Sequence, residues 1–407
     1  MKRAATVIVL VALVLVPMMA GCRRGAPTPS PVPTVAPAPA PTQTPAAATV
    51  AWQLTTDQDY VGPVQRAVLD GDGRAVHLAT LATLYRVEGG AVQLVAQRPE
   101  EEARLVLAPG GEVYAWLIPK VEWQGLFYIR LMDMSGQQLA ELKLDEFPYG
   151  FGTLYLGFQG QLILTASPLD DWEGVFGDFM YVFWSRDGER LADMILPRQL
   201  GFPDPSGTAI VLLGEEAAAA FSSSGEELWQ LSGQYRAAAS AQDGNLALLN
   251  PEATAAIDEV HIFDGGGQPT VVQVATPVHD LIMVPDGSIA LIVGDQGRYW
   301  YLDPLSTDLQ EAPQLPYDQM FYISDAEFLT DDWVALSGLH RVGEPPNHTW
   351  PKGTIVVRDQ AGNTAFEQSF DIREPLAHIP AIDATYGQTL FVGYTEDTTI
   401  LVDLGGR

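Results

Sequence analysis

The sequence predicts an all-β chain made of one short unit repeated around a single body. Three observations carry this. Apolar runs of four to seven residues, rich in Val, Ile, Leu and aromatics, alternate with Gly, Pro, Asp and Ser turns along the chain from residue 50 onward. The chain holds 38 glycines and 30 prolines, with 47% hydrophobic and only 18% charged residues, as many tight turns around a packed core require. The grammar also recurs at roughly 45-residue intervals, in the range of repeat architectures that fold as one body.

Phe202 to Ser232 is the shortest complete unit and serves as the ruler. The turn Asp204-Pro205-Ser206-Gly207 leads into Ala209 to Leu213, a turn at Gly214-Glu215 into Ala217 to Phe221, and Ser223-Ser224-Gly225 into Leu228 to Leu231. Seven further units match it: Val64 to Val95, Ala103 to Leu144, Thr153 to Leu196, Ala237 to Val274, Val278 to Leu315, Ile323 to Phe370 and Ile379 to Leu404. The last lacks a fourth strand, and Val50 to Leu54 at the start of the folded region can supply it. Closing a ring in this way leaves no open sheet edge where the ends meet.

Over residues 50 to 404 the period and turn placement resemble those of the WD-repeat and quinoprotein-like propellers. That resemblance implies a single β-propeller of four-stranded blades, eight in number, or seven if two units share strands, closed by the N-terminal strand. The Trp-Asp and Gly-His pairs of WD repeats are absent. The quinoprotein docking pattern has one partial match, Ala219 to Trp229, with Phe221 where an Asp is expected, so no quinone or other cofactor is predicted.

Ahead of the repeats the chain changes character twice. Lys2-Arg3, the apolar run Ala4 to Val16 and Met19-Ala20-Gly21-Cys22 read as a cleaved export signal over residues 1–21. The run is too short for a comfortable membrane span, which needs about twenty apolar residues. Small residues directly before the chain's one cysteine resemble the bacterial lipobox, although Met19 replaces the usual leucine. The resemblance implies lipidation at Cys22 and a chain anchored to a bacterial cell membrane, facing outside the cytoplasm. Residues 22–50, with eight prolines between Pro27 and Pro45, cannot bury a core and form an extended stalk reaching about 80 Å. Residues 51–407 form the propeller.

Net charge and chemistry narrow the function. With 22 Lys and Arg against 51 Asp and Glu, the chain carries -29 formal charges, which excludes nucleic acid as a partner. One cysteine permits no intramolecular disulfide and no cysteine metal cluster. Neither a Gly-x-Ser-x-Gly elbow, a His-Glu-x-x-His helix, a phosphate loop nor a dinucleotide fingerprint occurs, so no catalytic residues are assigned. Asp70-Gly71-Asp72-Gly73 lacks the later ligands of a calcium loop and reads as a turn. His340 and His348 flank Glu344, but Pro345-Pro346 denies them a shared helical face, so no metal site is predicted. His77, His261, His279 and His378 read as structural, and Asp170-Asp171 and Asp331-Asp332 as solvated turns.

Loop length gives the positional information about function. In units two, three and seven the connection between second and third strands swells, over Pro119 to Gly125, Pro168 to Asp178 and Leu339 to Gly353. Propeller topology puts all three on one face, where long loops on a rigid scaffold concentrate binding residues. Their aromatic and charged members, Trp123, Phe127, Trp172, Phe176, His340, Arg341, His348, Trp350 and Lys352, are the expected contacts of a protein or glycan partner. A monomeric, non-catalytic lipoprotein binding through this face is the reading favoured by the sequence. A propeller enzyme of the envelope, a glycan hydrolase or lyase, and an envelope assembly scaffold are the alternatives.

Overall fold

The computed structural model describes residues 48–405 except 102, 120–126, 144–148, 158–160, 169–178, 197–199, 205, 215, 252–257, 318–320, 343–348 and 373–378. Cys22, Trp123, Trp172, Phe176, His348 and the signal and stalk segments lie outside the described residues, and so does the side chain of Phe127.

Eight sheets of four antiparallel strands follow one another, and each of seven blades is a simple up-and-down meander. The eighth breaks the pattern: Ala381–Ala384, Leu390–Tyr394 and Thr398–Asp403 come from the end of the chain and Thr49–Thr55 from its beginning. Thr49–Thr55 runs antiparallel to Thr398–Asp403, with Leu54 opposite Thr399 and Thr55 opposite Thr398. The eight units and the closure predicted from the turns are therefore the observed ones. Among the described residues the only helical turns are two short 3₁₀ segments, and no helix is long and apolar enough to cross a membrane.

The ring order is visible in how first strands pack. Those of blades 5 and 6 touch, as do those of blades 7 and 8, and the first strand of blade 8 packs beside that of blade 1. Aliphatic side chains fill the space between blades, one cluster joining Leu54, Leu69, Leu78 and Val392 across the closure and another Ile355, Val357, Phe391 and Ile400 between blades 7 and 8. Each buried aliphatic or aromatic side chain contributes about 1.5–3 kcal/mol, so these seams supply most of the stabilisation.

Polar fasteners fix the rotation of one blade on the next. The buried Asp204 of blade 4 accepts the Asp243 amide of blade 5 at 3.2 Å as well as the Ala209 amide of its own blade at 2.8 Å. Asp258 of blade 5, buried and ion-paired with Arg236, accepts the Val278 amide of blade 6 at 2.7 Å. Backbone bonds add Gly71 to Gly110 at 3.0 Å, Gln242 to Pro285 at 2.7 Å and Gly387 to Leu329 at 2.7 Å.

Antiparallel pairing within every blade sends the second-to-third turns and the links between blades to one face, and the remaining turns to the other. The two faces differ in chemistry. The second face is built of tight turns closed by aspartate: Asp133 Oδ1 accepts the Ser135 and Gln137 amides at 2.9 Å each, and Asp303 Oδ1 accepts Leu305 at 2.8 Å. The Ser135 hydroxyl, together with these amides, holds the Asp133 carboxyl below the usual range, and the Ser306 and Leu305 amides do the same for Asp303. Asp70 closes its own turn likewise, accepting the Arg74 amide at 2.7 Å, in the stretch that the sequence reads as a turn.

Candidate functional site

The loop-bearing face carries six of the twelve exposed large apolar side chains among the described residues: Val61, Leu81, Leu200, Tyr322, Val342 and Ile379. Val50 and Leu305 are on the opposite side, and the other four lie along outermost strands. Exposed large apolar groups are therefore more frequent on this face than on the opposite one.

Blade 7 builds the most prominent part of this face. Its second and third strands, Trp333–Val342 and Thr349–Asp359, are the longest among the described residues and stay paired out to Val342 opposite Thr349. The expected loop from Leu339 to Gly353 is therefore mostly strand. His340 pairs with Lys352 and Leu339 with Gly353, and what remains between the strands is 343–348. Polar residues, two glycines and Pro351 imitate a loop in the sequence, but cross-strand pairing, with one register shift between His340 and Val342, extends the hairpin instead.

A strip of rings crosses from blade 6 to this hairpin. The His279 ring lies 5.6 Å from Tyr322, and Tyr322 lies 6.5 Å from Trp350 in an edge-on arrangement. Asp295, in the turn after the second strand of blade 6, holds His279 through Nε2. Tyr322, 43% exposed, sits at the start of the first strand of blade 7, Phe321–Phe328. Gly338 sets its height: a Cβ there would lie 2.3 Å from the Tyr322 carbonyl oxygen and 2.5 Å from the Phe321 ring. Only glycine lets the two strands approach this closely.

The predicted contacts that fall on described residues divide by environment. Trp350 joins the strip and is half-buried, while Lys352 is exposed beside it. His340 faces inward instead: it packs against Tyr317 at 4.7 Å and Phe321 at 5.0 Å, and its Nε2 meets Thr354 Oγ1 at 2.7 Å. Arg341 is half-buried, with its Nε enclosed and lacking a hydrogen bond among the described residues. Tyr322 and His279 were not foreseen as contacts. Their signal in sequence was a polar or aromatic residue at the start of a first strand, where each blade opens on the face.

The first strands also gather charge that sequence reading passed over. Asp280 from blade 6, Asp325 and Glu327 from blade 7, Asp383 from blade 8 and Arg66 from blade 1 interact around the inner edge of the ring. Asp325 Oδ2 accepts the Ile382 amide of blade 8 and Asp383 Oδ2 the Leu69 amide of blade 1, both at 2.9 Å. The carboxylates keep some surface open to the channel, but protein walls them closely on the remaining sides. That burial pushes Asp325 up to about 6 and Asp383 up to about 7, and holds Glu327 well above the carboxylate range, with the neighbouring acids adding to it. Tyr394 borders the same group, and burial raises its hydroxyl as well.

Trp229, the end of the partial quinoprotein pattern, has an internal role. It is buried, donates from Nε1 to the Gly244 oxygen of the next blade at 2.8 Å, and packs edge-on to Phe263 at 4.8 Å.

No family model and no curated protein matches the chain. Solved structures do. A structure described as the Dos1 propeller overlays with a TM-score of 0.51 and 12% identity, covering 88% of this chain and 96% of that one. A eukaryotic initiation factor structure overlays at 0.46 and 14% identity, covering 76% and 89%. At such identities the first likeness establishes the propeller fold alone, and the second overlay is too loose to add to it.

Proposed function

We propose that this chain is an exported lipoprotein, anchored through Cys22 to a bacterial cell membrane, whose propeller binds a protein partner by its loop-bearing face. The observation that carries the binding role is the one-sided distribution of exposed apolar groups together with the aromatic strip His279, Tyr322 and Trp350. Flat, partly exposed aromatic groups among polar neighbours have the composition of interface centres. The anchoring rests on the sequence from Lys2 to Cys22. The stalk would carry the disc clear of the lipid surface.

The test is capture of partners from solubilised envelopes with the intact chain, compared with a Tyr322→Ala/Trp350→Ala variant of equal melting temperature. Protein partners retained by the intact chain and lost by the variant support the reading. Equal retention by both, or capture of glycan only, overturns it. Radiolabelled palmitate incorporated by the intact chain and absent from Cys22→Ser checks the anchor separately.

A further inference from the structure

Blades 3 and 4 part on the aspartate-turn face to leave a cleft of about 400 Å³. Ser185, Arg186 and Asp187 reach it from the last turn of blade 3, Thr208 and Ser223 from two turns of blade 4, and Leu191 from the outermost strand of blade 3. Close contacts pin the two blades beside these residues. A Cβ on Gly157 of blade 3 would lie 2.3 Å from the Ser206 carbonyl oxygen of blade 4, and one on Gly225 of blade 4 would lie 2.9 Å from the Ala192 Cβ of blade 3. Within blade 4 the Ser223 amide donates to the Thr208 oxygen at 2.6 Å, which ties its two turns together. The fold therefore sets the width of the cleft before anything binds, as sites for small molecules ordinarily require.

The lining mixes hydrogen-bond donors with acceptors. Ser185 Oγ accepts the Glu189 amide at 3.1 Å, which leaves its proton to donate. Thr208 Oγ1 donates to the buried Asp204 at 3.2 Å, which leaves a lone pair to accept. The Ser223 hydroxyl and the Asp187 carboxylate make no hydrogen bond or ion pair with any described residue. Leu191, 41% exposed, adds an apolar wall. From this arrangement we infer that the cleft binds a neutral saccharide, as a free sugar or as the end of a glycan. Vicinal sugar hydroxyls each donate and accept, which suits a lining of this mixed kind, and the C–H face of a sugar ring packs on a side chain such as Leu191. An anion fits poorly, because Arg186 already shares its charge with Glu112 of blade 2 at 3.6 Å and Asp187 repels it. A cation would meet one exposed carboxylate, and exposed ion pairs contribute little. The volume admits a mono- or disaccharide. Since the cleft lies on the face opposite the aromatic strip, it requires neither the anchoring nor the partner-binding surface.

The experiment titrates the full chain calorimetrically with glucose, galactose, N-acetylglucosamine, maltose and cellobiose, and repeats each titration in the presence of inorganic phosphate or spermidine. Saturable binding of at least one sugar is expected, with neither charged probe competing. Tighter binding of a disaccharide than of its monosaccharide assigns the end of a glycan, and equal affinity assigns a free sugar. Asp187→Ala should weaken the sugar about tenfold through loss of a charge-assisted hydrogen bond. Ser223→Leu, which fills the cleft, should abolish binding. Asp72→Ala removes the same charge from a turn of blade 1 on the same face and should change affinity less than about twofold. The Asp72, Asp187 and Ser223 side chains all stand in turns without a partner among the described residues, so folding persists, as melting curves will verify. Absence of saturable sugar binding, competition by phosphate or spermidine, or equal affinity in the cleft variants and Asp72→Ala overturns the inference. Because these variants leave Tyr322 and Trp350 in place, failure here leaves the partner-binding face standing, and the reverse.

Discussion

Arg358 shows how much a single side chain can hold in this ring. It is 5% exposed and ion-pairs with no described residue, yet its guanidinium is well satisfied. One nitrogen donates to the Pro313 oxygen at 2.6 Å, another to Gly362 at 2.8 Å, and Tyr299 receives a longer bond at 3.4 Å. The residue ties the last turn of blade 7 to the link that leaves blade 6. Arg358→Met keeps most of the apolar stem and strands two carbonyls, so it should lower unfolding stability by about 2–4 kcal/mol in urea titration. A loss near zero would show that water replaces the guanidinium. His77 illustrates the opposite case. Burial lowers its imidazole to about 4, so it remains a neutral packing residue, as its place in a strand pattern predicts.

At the level of strands, sequence legibility depended on what a turn demands locally. Gly73, Gly207 and Gly225 all adopt positive φ at the turns read from the sequence, because those turns need a backbone that other residues resist. The lengths of paired strands are not local properties, which is why the blade 7 hairpin looked like a loop. The channel acids were still less legible. Asp280, Asp325, Glu327 and Asp383 each read as an ordinary polar position in an alternating strand, and only the fold gathers them, from the first strands of three blades. Their consequence is a pH dependence of defined sign. Asp325, Glu327 and Asp383 are all raised in the folded state, so the native chain holds more protons than the unfolded one between about pH 4 and 7. The stability they contribute is complete below about pH 4 and is lost as pH rises through 6 to 7. Urea midpoints should therefore fall between pH 5 and 8. Asp383→Asn should flatten the fall and gain on the order of 1–3 kcal/mol at pH 8 while changing little at pH 4. A variant less stable than the parent at pH 8 would contradict the assignment.

For the molecule as a whole, the closure by Thr49–Thr55 is the decisive joint. Trp52, Gln53, Leu54 and Thr55 all pair with Thr398–Asp403, and Leu54 enters the core that joins blades 8 and 1. A chain beginning at Pro45 should melt within about 1 °C of the full one. A chain beginning at Asp57 leaves the third strand of blade 8 as an open edge and should lose about 10 °C or more, or aggregate. Equal melting of the two would mean that the ring closes without its fourth strand. The propeller, its eight units and this closure were readable because each follows from turns and a missing strand. The face and the channel were only partly readable, since loop length reveals where side chains emerge and not which of them meet.

The same strand also decides how the disc responds to load. Thr49–Thr55 begins on the aspartate-turn face and ends on the loop-bearing face, lying antiparallel to its neighbour throughout. A pull at Thr49, with the opposite face held by something bound, acts along the strand axis. The ladder bonds are then sheared together and not peeled one after another. Mechanically, the closing strand is a lap joint, and the disc should resist tension at its N-terminus more strongly than its modest seven-residue seam suggests.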